Sequence, residues 1–199
     1  MGIRLQEGND QICWSLDGER DFSVAGTRRN IDAFLHTGSD MGTLWCNAVP
    51  KKVNVFAWRV MLDQLPTRYN LSCRGMEIKS ILCPTCGVGM ETLSHALFAS
   101  CFAKEVWRNI YRWCNISMLI GESFCEWSEW CDLLPTRNNR RLKMQVIGLA
   151  TCWMIWRFRN SVLFDAGRMR KSDIVHNIIL LSFSWLAHRN KKCKVSWVD

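Results

Sequence analysis

Long hydrophobic runs and glycine-rich phosphate loops are both missing from this chain. The longest apolar stretches, residues 146–156 and 178–187, fall short of the ~18 residues that a membrane-spanning helix requires, so we expect no membrane partner. The Gly87-Val88-Gly89 stretch lacks the following lysine and helix of a P-loop. We also find no positioned third group for serine or cysteine nucleophile chemistry. These absences predict no small-molecule substrate.

A secretory signal is missing as well, which bears on the eleven cysteines. The first eight residues are polar, and an odd number of cysteines does not suit a framework of disulfides. We therefore expect a reducing compartment, either nucleus or cytoplasm, and a protein that is not secreted. In that setting the thiols are free unless they bind a metal.

The chain is rich in apolar and aromatic residues. Of 199 residues, 48% are hydrophobic and eleven are tryptophan, enough for a packed core. Because indole rings bury a large area, most tryptophans are expected in the core, with base stacking as the minority alternative.

Positive charge is concentrated in the last third of the chain. The net charge is +8, and residues 136–199 alone carry 13 basic and 3 acidic side chains, net +10. Such asymmetry predicts nucleic acid or another polyanion as partner. The alternative is that these cations are simply the solvated faces of long helices.

Four residues form the most informative motif: Cys83, Cys86, His95 and Cys101, with the spacing Cys-x2-Cys-x8-His-x5-Cys. Three thiolates and one imidazole are the ligand set of a closed structural Zn²⁺ site. No carboxylate stands at a fixed spacing to activate water, which favours a structural role for one zinc ion. The alternative is four unligated core residues, since free cysteine is commonly buried.

The residues around this motif predict how it is presented. Pro84 stiffens the turn between the two cysteines, and Gly87 permits the sharp exit that follows. Thr92 can cap a short helix that carries His95 toward the ion. Cys101 would then begin the next helix.

The remaining pattern predicts a mainly α fold. Alternating residues around Asp17-Gly18 predict a short N-terminal β-hairpin over residues 11–24, followed by a helix over 28–35. Thr67 and Ser172 are predicted helix caps, as is Asn138. Apolar residues at helical spacing predict further helices over 50–62, 68–74, 101–114, 123–134, 138–164 and 173–190. We expect a small zinc-pinned helical domain over 10–115 and a helical extension over 120–190 that ends in a pair of long helices.

Several strings together resemble one family. Residues 49–59 (VPKKVNVFAWR), 65–75 (LPTRYNLSCRG) and 83–87 (CPTCG), with Glu91-Thr92, the string 95–98 (HALF), Cys101 and Trp107 after them, follow its order. They are similar to the zinc-binding domain that follows the polymerase in plant non-LTR (long-interspersed) retrotransposons. The likeness covers about residues 10–115 and returns at 155–160. One departure is that Ala99-Ser100 stand where the family often has one residue before the cysteine.

The resemblance implies a fragment of a reverse transcriptase reading frame without its chemistry. The chain contains no Tyr/Phe-x-Asp-Asp pair to hold two metal ions. After residue 132 it has only Asp165, Asp173 and Asp199, too few for an RNase H module. We therefore expect no enzyme, although the parent element would encode an RNA-directed DNA polymerase.

Nucleic acid, RNA or DNA, is accordingly the expected partner. The basic start of the helix over 138–164 opposes the helix dipole, which favours anions at that end. The candidate phosphate contacts are Lys51, Lys52, Arg140, Arg141, Lys143, Arg157 and Arg159. Alternatives are an interaction module that packs against a reverse transcriptase body or self-associates, and a non-functional retroelement fragment.

Overall fold

Helices make up the regular secondary structure in residues 45–117, 121–135, 139–165 and 169–189, which are the parts of the chain that the computed structural model describes. The exception within these ranges is an isolated antiparallel bridge between Leu82 and Met90. The mainly α prediction is therefore confirmed. The expected hairpin over 11–24 and helix over 28–35 lie outside the described residues.

Six α-helices follow one another in the described ranges. They are α1 (Lys51–Met61), α2 (Arg68–Cys73), α3 (Cys101–Trp113), α4 (Phe124–Leu133), α5 (Arg140–Phe164) and α6 (Ile174–Arg189). A π-helical turn, His95–Ala99, precedes α3, and a 3-10 turn, Lys171–Asp173, precedes α6. Each of these helices lies where the apolar spacing predicts one, and α5 and α6 form the expected long pair. None of the described helices is both long enough and apolar enough to cross a bilayer.

Hydroxyl caps set the starts of three of these helices. Thr67, Ser100 and Ser123 each accept a hydrogen bond from the backbone N–H three residues on. The predicted Ser172 cap is wrong, because its hydroxyl instead donates to the Asp173 carboxylate and α6 begins only at Ile174. Asn138, the predicted cap of α5, lies outside the described residues.

The long helix α5 forms the centre of the core. It packs against α1, α3, α4, α6 and the π-helical turn, and its middle, including Leu149, Ala150 and Cys152, is fully buried. Burial of this kind explains why the middle of α5, residues 146–156, contains no charged residue. Gly148 lies directly under the Trp127 indole, where an added Cβ would sit 2.0 Å from Cζ2.

Aromatic stacking joins α3 to this core. The Trp107 ring lies between Phe98 and Tyr111, with both pairs of centroids 5.4 Å apart, and its Nε1 donates to the Leu97 carbonyl at 2.9 Å. Trp107, Trp127, Trp156 and Trp185 are buried, as expected of core residues, whereas Trp45 and Trp113 are exposed. The described residues all fall in one compact unit that begins at Trp45. The predicted division between residues 115 and 120 stays a prediction.

Candidate metal centre

Three of the four predicted zinc ligands converge. The ligand atoms of Cys83, Cys86 and His95 all lie within 4.8 Å of one another. Cys86 Sγ and His95 Nε2 are 3.3 Å apart. Residues that are three to twelve positions apart in sequence thus face a common point, as the spacing predicts.

A tight turn brings the two cysteines to this point. The Gly87 N–H donates to the Cys83 carbonyl at 2.8 Å, and the Cys83 N–H donates to the Gly89 carbonyl at 2.9 Å. Gly87 has φ +67°, a left-handed conformation that glycine adopts without steric cost. The Leu82–Met90 bridge closes the base of the turn. We refer to residues 82–90 as the knuckle.

Each sulfur also has a local hydrogen-bond partner. Cys83 Sγ lies 3.1 Å from the Thr85 hydroxyl, and the Val88 N–H donates to Cys86 Sγ at 3.4 Å. Burial raises the pKa of the Cys86 thiol, and the neighbouring Cys83 and Cys101 thiols act in the same direction. The Cys86 thiol therefore favours its protonated form, and a bound cation would reverse this preference.

The π-helical turn presents the histidine. The Thr92 hydroxyl accepts from the His95 N–H at 3.2 Å, which is the cap contact that the sequence predicts. The Ser100 N–H donates to the His95 carbonyl at 2.8 Å, closing a ring one residue wider than that of an α-helix.

Gly89 contributes to the centre in a way that the sequence analysis missed. Its φ is +74°, and an added Cβ would lie 3.1 Å from His95 Cε1. The absence of a side chain at position 89 therefore leaves room for the imidazole ring. The sequence signal for this role is a second glycine two positions after Gly87.

Cys101 stands apart from the converging group. It is the first residue of α3 and is exposed, and its sulfur is not among the atoms that lie within 4.8 Å of one another. It is close enough to influence the Cys86 thiol, as described above. Its role as fourth ligand stays a prediction.

The converging donors suit Zn²⁺. Two thiolates and an imidazole are ligands that this ion prefers, and tetrahedral bonds to sulfur and nitrogen would place those atoms about 3.5 Å apart. The observed 3.3 Å between Cys86 Sγ and His95 Nε2 is close to that spacing. The group contains no aspartate or glutamate among the described residues.

Six of the seven predicted phosphate contacts fall into two sets. Lys51 and Lys52 on α1 and Arg157 on α5 are exposed, and Lys52 Nζ lies 5.9 Å from the centroid of the Trp153 ring. Arg140 is exposed at the start of α5, where Lys143 is half-buried and Arg141 pairs with Asp132. From Lys143 to Arg157 the helix rises about 21 Å, so the sets are well separated.

Arg159 is placed in the core, contrary to our expectation of a phosphate contact. Its Nε and Nη2 donate to the two carboxylate oxygens of Glu91 at 2.7 and 2.8 Å, and Nη2 also donates to the Pro66 carbonyl at 3.1 Å. Both side chains of this pair are almost completely buried. The Arg159 guanidinium is therefore bound to partners in the protein interior and is not part of a phosphate-binding surface.

Glu91 connects this buried pair to the knuckle, a role that its place in the sequence motif does not indicate. It follows Met90 directly, its N–H donates to the Ile81 carbonyl, and its Oε2 also accepts from the Arg68 N–H at 2.7 Å. A carboxylate with no solvent exposure that receives several donors fixes the position of the chain around it.

A comparison with protein families agrees with this geometry. Residues 24–107 match the family described as zinc-binding in reverse transcriptase. The match to this zinc-binding domain includes the knuckle, His95 and Cys101, and it ends within α3. Its first part, residues 24–44, lies outside the described residues. No curated protein and no solved structure matches the chain.

Proposed function

We propose that this chain is a non-catalytic zinc-binding module, derived from the reverse transcriptase reading frame of a plant non-LTR retrotransposon, that binds nucleic acid. One structural Zn²⁺ would be held by Cys83, Cys86, His95 and Cys101. The observation that carries the proposal is the convergence of three ligands inside the segment that matches the zinc-binding domain. Free thiols suit a reducing compartment, nucleus or cytoplasm.

A structural role for the ion follows from the character of the ligand set. Four protein ligands would leave no coordination position for water or substrate, and the cluster has no carboxylate to act as a base. Among the described residues, the most deeply buried carboxylate is that of Glu91, which is bound to Arg159 and is unavailable for chemistry.

Zinc content and thiol protection test the metal part of the proposal. We expect one zinc per chain, and we expect alkylation of Cys101 in the metal-free protein but not in the loaded protein. Cys73, which is also exposed, is the control and should react in both states. Equal labelling of Cys101 in both states would remove it from the ligand set.

Nucleic-acid binding is supported by the excess of basic over acidic residues in the C-terminal third of the sequence and by the exposure of Lys51, Lys52, Arg140 and Arg157. We expect RNA and DNA to be retained at low salt and released steeply as salt rises, because phosphate binding displaces counterions. Substituting Lys51 and Arg157 together by glutamine should weaken binding and reduce the salt dependence. Absence of binding at low salt would refute the proposed nucleic-acid binding without affecting the proposed zinc site.

A further inference from the structure

A groove of about 550 Å³ lies between α1, α2 and the C-terminal half of α5. Its size is within the range of ordinary ligand sites. Side chains from all three helices line it, among them Val55, Phe56, Leu71, Trp153, Leu163 and Phe164. It is separate from the zinc ligands, none of which line it.

Three of the four cations that line this groove have no carboxylate partner among the described residues, and the fourth, Arg159, is paired with the buried Glu91. Lys52, Arg59 and Arg68 all line it, and none of the three forms an ion pair within the described part of the chain. Arg59 Nη2 donates to the Gln64 carbonyl at 3.1 Å, and Arg68 Nη1 donates to the Leu82 carbonyl at 2.7 Å. Each of these bonds fixes a guanidinium at the rim and leaves other N–H donors of the same group for an anion.

The surface between these cations is apolar and partly aromatic. Phe164 is 76% exposed and Val55 is 47% exposed, so both side chains present apolar surface to solvent at the groove. The half-buried Trp153 packs edge-on against Phe56, with centroids 5.2 Å apart. Apolar and aromatic surface of this kind accepts the faces of nucleobases irrespective of their sequence.

We infer that this groove binds single-stranded nucleic acid, with unpaired bases on its apolar surface and phosphates on Lys52, Arg59 and Arg68. This inference rests on the proposed function and specifies its substrate class. Duplex bases are stacked and paired, so they cannot enter an apolar groove, whereas an unpaired strand offers bases and phosphates together. Lys52, Arg59 and Arg68, which have no carboxylate partners among the described residues, are complementary to the uniform negative charge of such a strand.

Fluorescence anisotropy with a labelled 20-nucleotide strand and its duplex tests the inference in the full chain. We expect the single strand to bind roughly tenfold more tightly than the duplex at equal salt. Val55→Glu puts a carboxylate on the groove at an exposed helical position and should abolish that preference. Leu180→Glu, at a similarly exposed position on α6, is the matched control and should leave it intact.

Other outcomes separate this inference from the proposed function. In one outcome, single strand and duplex bind equally and Val55→Glu has no effect, but the double substitution Lys51→Gln and Arg157→Gln weakens binding of both nucleic acids. The groove is then not the binding site, but the proposed function stands. If neither binds at low salt, both fail. If an acidic peptide of alternating leucine and glutamate binds in a Val55→Glu-sensitive manner while single strands do not, the groove takes a protein partner and the inference is overturned.

Discussion

The knuckle and the helix α5 are held in place by opposite means. In the knuckle, Leu82, Val88 and Met90 are 47%, 71% and 41% exposed, and the ordered geometry comes from backbone bonds and convergent ligands. In α5 the central residues are fully buried among five neighbouring elements. Apolar burial therefore stabilises α5, whereas the knuckle has little apolar burial and, under the proposed function, would depend on a bound ion for its stability.

One buried contact joins these two regions. Glu91, at the end of the knuckle, is bound through both carboxylate oxygens to Arg159 near the end of α5. Changes in the knuckle should therefore remain local as long as this pair is intact. Substitutions are therefore expected to affect the knuckle, the Glu91–Arg159 pair or α5 separately.

The largest effect should come from Cys83→Ser. We expect loss of stoichiometric zinc, because structural zinc contributes on the order of 10 kcal/mol of apparent binding energy and a hydroxyl is a poor replacement for thiolate. Amide hydrogen exchange should show lost protection over residues 80–95, while α5 stays protected. The packing of α1 and α3 against α5 should confine the loss of protection to this segment.

Cys73→Ser is the matched control, because Cys73 is exposed and lies outside the cluster. It should keep zinc content and exchange protection at the parent level. Full zinc retention by Cys83→Ser would contradict the proposed centre. Loss of protection throughout α5 would contradict the separation of the two regions.

The second largest effect on stability should come from breaking the Glu91–Arg159 pair. Glu91→Gln leaves the Arg159 guanidinium buried with a neutral partner, and we expect a loss of about 3–5 kcal/mol in the free energy of unfolding. Urea denaturation with zinc present would measure it. Glu105→Gln removes a carboxylate from the exposed Lys171 pair and should cost less than about 1 kcal/mol. Equal costs for the two substitutions would mean that the buried pair is not the connection.

Gly148→Ala tests the helical region alone. The new Cβ would lie 2.0 Å from Trp127 Cζ2, so the indole must move. Overpacking costs about 1–3 kcal/mol, partly offset by the better helix propensity of alanine. We expect lower thermal stability with unchanged zinc content. In a Trp127→Phe background the cost should fall, because the smaller ring leaves space; an unchanged cost there would rule out the contact as its cause.

The predictable parts of the structure were those that local sequence specifies. Thr67 capping α2, the turn through Gly87 and the burial of Trp107 all follow from neighbouring residues or from apolar spacing. The convergence of Cys83, Cys86 and His95 was predictable because the chemistry of zinc restricts both ligand types and spacing.

What could not be predicted depends on contacts between distant residues. Arg159 lies 68 positions from Glu91, and no local pattern distinguishes a buried arginine from an exposed one in a basic helix. The groove is equally non-local, since Lys52, Arg68 and Trp153 come together only when α5 packs on α1 and α2.

The smallest effect, and the sharpest test of the knuckle, compares two glycines in the same turn. Gly87 and Gly89 both have positive φ, so alanine at either position should cost about 1–2 kcal/mol in backbone strain. Only at position 89 does the added Cβ meet another residue, the His95 ring, at 3.1 Å; at position 87 it meets nothing within 4 Å. Gly89→Ala should therefore weaken zinc affinity more than Gly87→Ala, by up to about tenfold for each 1.4 kcal/mol of ring displacement. Competition with a fluorescent chelator would measure both affinities. If the two variants lose zinc equally, backbone strain alone controls the site and the ring at position 95 does not depend on the space beside Gly89.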